Sequence, residues 1–287
     1  MGVSGWEVVA ICAKAATYAA TLGAAGAIFF SAYCKNLLQD SQQFRIRRLI
    51  GRLLIIATLA SLARIPLLAG SMSGDFAGMF DSQFENMILR NGEGRTTGLR
   101  LIGLALMAIG VFSNRRATPL LGAVIAAVSF AWIGHVYAML PNALPRTLLC
   151  LHLLCAAFWF GALAPLLMVA QGGTGSQAAS VAARFATWAF GLVAVLIVAG
   201  AWLVWMLIRD AAEFWDSDYG RMLLVKLLLV ACLLATAALN KFYLTTKLSR
   251  GDAKAALRFS RSLQAEMLLG SLILLATAAF TSLTGPP

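Results

Sequence analysis

Leu192–Ile208 reads LVAVLIVAGAWLVWMLI, a stretch without a single charge or amide. An amphipathic helix would interrupt such a run with polar residues on one face, and a half-buried strand would alternate. This run does neither. It is apolar on every face, and with its flanks it reaches the roughly 20 residues that cross a hydrocarbon core of about 30 Å. Similar runs recur on both sides of it, and they place about eight spans at 6–33, 47–70, 97–113, 118–140, 146–170, 184–208, 221–244 and 262–284. The pattern predicts one all-α, polytopic membrane domain over 1–287. A polar outer loop at 71–96 holds a short interfacial helix, and a basic cytoplasmic loop occupies 245–261.

Composition supports this reading. Hydrophobic residues make up 60% of the chain and charged residues 12%, about half the charged share of a soluble domain. Mean hydropathy is +0.81. The net charge of +11 does not indicate nucleic acid, because the basic residues sit in short connections between apolar runs. Five cysteines (12, 34, 150, 155 and 232) lie in or beside those runs, and their odd number argues against a disulfide framework. The N-terminus carries Glu7 and Lys14 instead of a basic leader, so it reads as a first membrane helix.

Lysine and arginine set the orientation. Lys35, Arg45, Arg47, Arg48, Arg52, Arg115, Arg116, Arg184, Lys241, Lys247, Arg250, Lys254, Arg258 and Arg261 fall on one side. Only Arg90, Arg95, Arg146, Arg209 and Arg221 fall on the other. That imbalance puts both termini outside, in the periplasm of a Gram-negative cell, and the chain in the inner membrane.

The chain has two histidines, His135 and His152, at matched depth on either side of the turn PNALP. Both are roughly 8–9 Å below the outer boundary at 1.5 Å per residue. Met139 is four residues after His135 and Cys155 three after His152, each on its histidine's helical face. Two imidazoles, a thioether and a thiol are soft or borderline ligands. They suit Cu(I), Cu(II) or Zn far better than Mg or Ca. The alternative is two histidines hydrogen-bonded between helices as polar glue. In the outer loop, Met72, Met79 and Met87 lie among acidic residues. They are either copper-handling thioethers or, together with Phe76, Phe80 and Phe84, the apolar face of the interfacial helix. Glu7, Lys14, Arg64, Arg100 and Lys226 lie toward the outside and Glu266 toward the inside; these embedded charges either pair across helices or, for Lys226 and Glu266, meet an ion path. No hydrolase, kinase, dinucleotide or phosphate-loop fingerprint is present, and no enzymatic activity is expected.

Several phrases, read in order, carry a resemblance. SFAWIGHVYA, then LLCLHLLCAAFWFGALAPL, DYGRMLLVKLLLV, ALNKFYLTTKL and RSLQAEMLLGSLILLATAAFTSLTGPP resemble the copper resistance protein D (CopD) family. The match is strongest over 96–287. The resemblance implies an inner-membrane copper transporter of about eight helices, acting in copper import, homeostasis or resistance. It also implies a separate periplasmic copper-binding partner of the CopC type. His135, His152, Lys226 and Glu266 match family positions, whereas Met139 and Cys155 rest on geometry alone. Two other readings stay open. One is a membrane cytochrome in which His135 and His152 ligate haem; the other is a copper-binding assembly factor or sensor that transports nothing.

Overall fold

Helix is the only extended secondary structure in the computed structural model, which describes residues 5–113, 115, 117–133, 143–207, 217–250 and 252–283. In chain order the α-helices are α1 Gly5–Cys34, α2 Asp40–Ser73, α3 Ser82–Arg90, α4 Gly92–Phe112 and α5 Ala117–Val128. They continue as α6 Ala143–Gly172, α7 Gly175–Leu207, α8 Asp218–Leu239, α9 Thr245–Ser249 and α10 Ala253–Leu283. A π-helical segment, Asn240–Leu244, joins α8 to α9.

Among the described residues, seven segments are long and apolar enough to cross a membrane: Gly5–Leu37, Asp40–Ser73, Gly92–Phe112, Ala143–Gly172, Gly175–Met206, Asp218–Leu248 and Lys254–Leu283. The all-α, multi-pass architecture follows from them. A shorter apolar helix, Ala117–Trp132, occupies the start of the expected fourth span. Residues 134–140, which would complete that span, lie outside the described residues. Outward-facing side chains agree with a lipid surround: Trp205 is 71% exposed and Leu228 67%, exposures that a water-facing surface does not sustain over a whole bundle.

The stretch 71–96 does hold a short helix, α3. Asp81 accepts the Gln83 amide at 2.8 Å and starts α3, and Gly74, in the left-handed region at φ 81°, ends α2 before it. Most of the basic stretch 245–261, read from sequence as a loop, is helical, over α9 and again from Ala253.

α1 is the centre of the bundle, packed on α2, α5, α6 and α10. In lipid there is little hydrophobic gain in bringing helices together, so close backbone approach and dispersion must hold them. The chain supplies that with glycine pairs. A Cβ on Gly161 of α6 would lie 2.5 Å from the Gly26 Cα of α1. Likewise a Cβ on Gly103 of α4 would lie 2.6 Å from the Ala126 nitrogen of α5. Neither crossing has room for a side chain.

α6, α7, α8 and α10 form the second half of the bundle, with α6 touching α7 and α10, and α8 touching α10. This half holds His152, Lys226 and Glu266.

Candidate metal centre

His152 lies nine residues into α6, about 14 Å along the helix from Ala143. Its side chain turns toward α7, where its Nδ1 is 3.3 Å from the Leu196 carbonyl oxygen. A carbonyl only accepts, so Nδ1 carries the proton and donates. Nε2 is thereby left with its lone pair, the form in which imidazole binds a metal. A backbone carbonyl that fixes the tautomer and ring orientation of a ligating histidine is a recurrent support in metal sites.

Gly200, one turn beyond Leu196, makes the arrangement fit. A Cβ there would lie 3.3 Å from His152 Cε1 and 3.5 Å from Nδ1. The ring therefore lies flush against the α7 backbone, and the absence of a side chain at 200 lets it come that close. Neither contact was legible in the sequence. Leu196 contributes only its carbonyl, and Gly200 sits in a run that looks uniformly apolar.

The other proposed ligands are placed unequally. Cys155, one turn after His152, is buried at 2% exposure and is a free thiol. His135 and Met139 lie outside the described residues. Among the described residues, no group of three or more His, Cys, Asp and Glu side chains is arranged to hold a metal ion. Met72 and Met87, in the stretch 71–96, are exposed. Met79 packs by Gly70, where its Cγ would be 2.6 Å from an added Cβ. Phe76 and Phe80 are exposed and meet edge-to-face at 5.6 Å, and Trp6 is 6.4 Å from Phe76. These rings make an exposed aromatic surface on the stretch between α2 and α3.

The two embedded charges take different places. Lys226 of α8 is half-buried and within electrostatic reach of His152. Glu266 of α10 is 3% exposed and lies elsewhere in the half-bundle. Its Oε1 accepts from Asn240 Nδ2, and Trp159 lines the same cavity. Trp159 is seven residues beyond His152 on α6, so the Glu266 cluster begins about 10 Å further along that helix.

The first half of the bundle has its own buried charges. Arg64 Nη2 is 2.6 Å from Glu93 Oε1 and Arg64 Nε is 2.8 Å from it, with both side chains nearly buried. Arg100, at 2% exposure, reaches Ser61 Oγ at 3.5 Å and lies 4.3 Å over the Phe130 ring. Lys14 Nζ donates to the Thr281 carbonyl and to Ser282 Oγ, both at 3.1 Å. Three cations and one carboxylate line this region, so it is built to pin helices together.

Comparison with known proteins fits this division. Residues 5–140 match the family described as Copper resistance protein D-like, N-terminal domain, and residues 179–280 match the one described as Copper resistance protein D. The Copper transport protein CutJ of Bacillus subtilis (strain 168) is 26% identical over 281 residues, covering 91% of this chain and 50% of that protein. The Inner membrane protein YebZ of Escherichia coli (strain K12) is 28% identical over 136 residues, covering 46% of this chain and 47% of that protein. This chain thus spans about half the length of the curated relatives it matches. No solved structure matches it.

Proposed function

The chain belongs to the copper resistance protein D family, and we propose that it carries copper ions across the membrane it spans. In this reading the membrane is the bacterial inner membrane, with both termini outside. One relative bears the name of a copper transport protein and another that of an inner membrane protein. The observation that carries the reading is the His152 ring, held by Leu196 through Nδ1 and flush against Gly200, with Nε2 left to coordinate.

Copper is the cargo. His152 and His135 are its principal ligands in this proposal, with Met139 and Cys155 auxiliary. Together they form a capture site toward the outer ends of α6 and the segment before it. A separate periplasmic copper-binding protein of the CopC type delivers the ion.

The neighbourhood of His152 favours one oxidation state. An ammonium at Lys226 repels a doubly charged ion twice as strongly as a singly charged one at the same separation. A thiol one helical turn away adds a soft donor, and soft donors select Cu(I). Both effects favour Cu(I) as the transported form.

Copper content and copper flux test this together. Purified protein in lipid vesicles is loaded with Cu(I) under reducing conditions, beside His152→Ala and the His135→Ala/His152→Ala double variant. The expected result is stoichiometric copper and protein-dependent flux in the parent, with both lost in the double variant at equal folded yield. Undiminished flux in the double variant would falsify the assignment. Copper binding without flux in the parent would instead support an assembly or sensing role.

A further inference from the structure

An apolar cavity of about 240 Å³ opens in the second half of the bundle, between α6, α7, the π segment and α10. Its walls are mostly Trp159, Phe185, Phe259 and aliphatic side chains, Lys241 and Thr245 also reach it, and Phe190 and Phe242 flank it. Those last two are 63% and 70% exposed. The cavity therefore communicates with the apolar outer surface of the bundle, the surface that lipid covers.

One end of this cavity is polar. Asn240 and Glu266 both line it, and Asn240 is 7% exposed. The amide nitrogen of Asn240 is committed to Glu266. Its Oδ1 is buried and has no hydrogen-bond partner. An orphaned buried carbonyl oxygen costs about 1–3 kcal/mol, so a native structure that retains one invites a donor from a ligand. The local backbone supports the same view. Asn240 begins the π-helical segment Asn240–Leu244, and π segments are inserted into α-helices largely at functional sites. Here the Asn240 carbonyl is capped by Thr245 Oγ1 at 2.8 Å, and the side chain is turned inward to Glu266.

Size and chemistry narrow the ligand. An apolar cavity of about 150 Å³ accepts one benzene ring, so about 240 Å³ holds one substituted ring. The walls are largely aromatic, the mouth faces lipid, and Asn240 Oδ1 is an acceptor without a donor, while the Lys241 ammonium, also on the lining, sits over the Phe190 ring at 3.9 Å. A ring compound soluble in the membrane that presents a hydroxyl satisfies all of these conditions. We propose that this cavity binds the head group of a membrane quinol, whose hydroxyl donates to Asn240 Oδ1 while Glu266 holds the amide in place. The inference is independent of copper capture at His152, which it neither requires nor alters.

The test uses the full chain purified into nanodiscs of synthetic phospholipid free of quinone. A short-chain benzoquinol and the corresponding benzoquinone are titrated separately by calorimetry. The quinol is expected to bind saturably, and the quinone about tenfold more weakly because it has no hydroxyl to donate. Asn240→Leu removes the acceptor and is expected to erase the preference for quinol. Ala186→Phe fills the cavity from α7 without touching the polar end, and is expected to abolish binding of both forms at unchanged folded yield.

Equal affinity for quinol and quinone overturns the assignment of Asn240. Undiminished binding to Ala186→Phe overturns the cavity itself. A parent protein that binds neither form, and that yields only phospholipid on organic extraction from native membranes, makes the cavity a lipid-filled gap and overturns the proposal. Because copper affinity is read separately, failure here leaves the His152 assignment standing.

Discussion

Gly200→Ala probes the site without removing any candidate ligand. The added methyl would lie 3.3 Å from His152 Cε1 and 3.5 Å from Nδ1, so the ring must yield by a few tenths of an ångström. The Nδ1 to Leu196 oxygen separation is already 3.3 Å, and the same displacement carries it to about 3.6 Å, where no hydrogen bond remains. The ring then loses the contact that fixes its tautomer and aims Nε2. Loss of such outer support typically costs 10–100-fold in metal affinity, or about 1.4–2.7 kcal/mol. Alanine in place of glycine inside a helix stabilises it by about 1 kcal/mol, so the thermal midpoint should hold or rise while copper affinity falls. Competition against a Cu(I) chelator of known affinity, paired with a thermal unfolding curve of the same sample, reads both quantities. If Gly200→Ala keeps the parent's affinity while His152→Ala loses it, the Leu196 carbonyl does not orient the ligand and this account of the site is wrong.

Other expectations concern the frame. Gly161→Leu should separate α1 from α6, since a Cβ at 161 already lies 2.5 Å from Gly26 Cα; overpacking of this kind costs about 1–3 kcal/mol or more, visible as a lower unfolding temperature in detergent. Glu93→Gln leaves Arg64 buried without its partner and should cost about 3–5 kcal/mol, whereas Arg64→Met/Glu93→Leu should recover most of it; equal losses in both variants would mean that the charge pairing is incidental. With the native cysteines replaced, Ser82→Cys at the start of α3 should react with an impermeant maleimide in intact spheroplasts, and Thr174→Cys between α6 and α7 only after the membrane is opened. The reverse pattern would invert the proposed orientation.

The apolar spans were legible because lipid imposes a composition, and composition is local: LVAVLIVAGAWLVWMLI needs no partner to declare itself. The short helix α3 was legible for a similar reason, as Asp81 and the aromatic residues around it are local signals. The pairings were not. Arg64 and Glu93 are 29 residues apart, and nothing in the sequence announces that α4 begins as early as Gly92 and so carries Glu93 to Arg64. Leu196 and Gly200 were hidden for another reason: they act through a carbonyl and an absent side chain, which hydropathy does not register. Glu266 declared itself as a buried charge, but its partner Asn240 depends on a π turn, a backbone register that no residue type encodes.

The charges divide the bundle by function. A cation passing between α1, α2 and α4 would meet Lys14, Arg64 and Arg100 with only Glu93 to offset them. In an environment of low dielectric, that imbalance is a barrier whose height scales with the ion's charge. Among the described residues the second half is less cationic around His152: Lys226 is within electrostatic reach of it, and deeper in an amide and a carboxylate lie beside Lys241. Under the proposed function, copper therefore travels through the half-bundle of α6, α7, α8 and α10, while the half that begins with α1 serves as its scaffold. The consequence is specific. Arg100→Gln, which lowers the charge of the scaffold half, should change stability and leave the copper affinity of His152 as it was. Lys226→Gln, which lowers the charge beside the site, should raise affinity for Cu(II) more than for Cu(I). A Lys226→Gln protein that gains nothing for either ion would show that the ammonium does not face the metal, and the electrostatic argument for Cu(I) would fall with it.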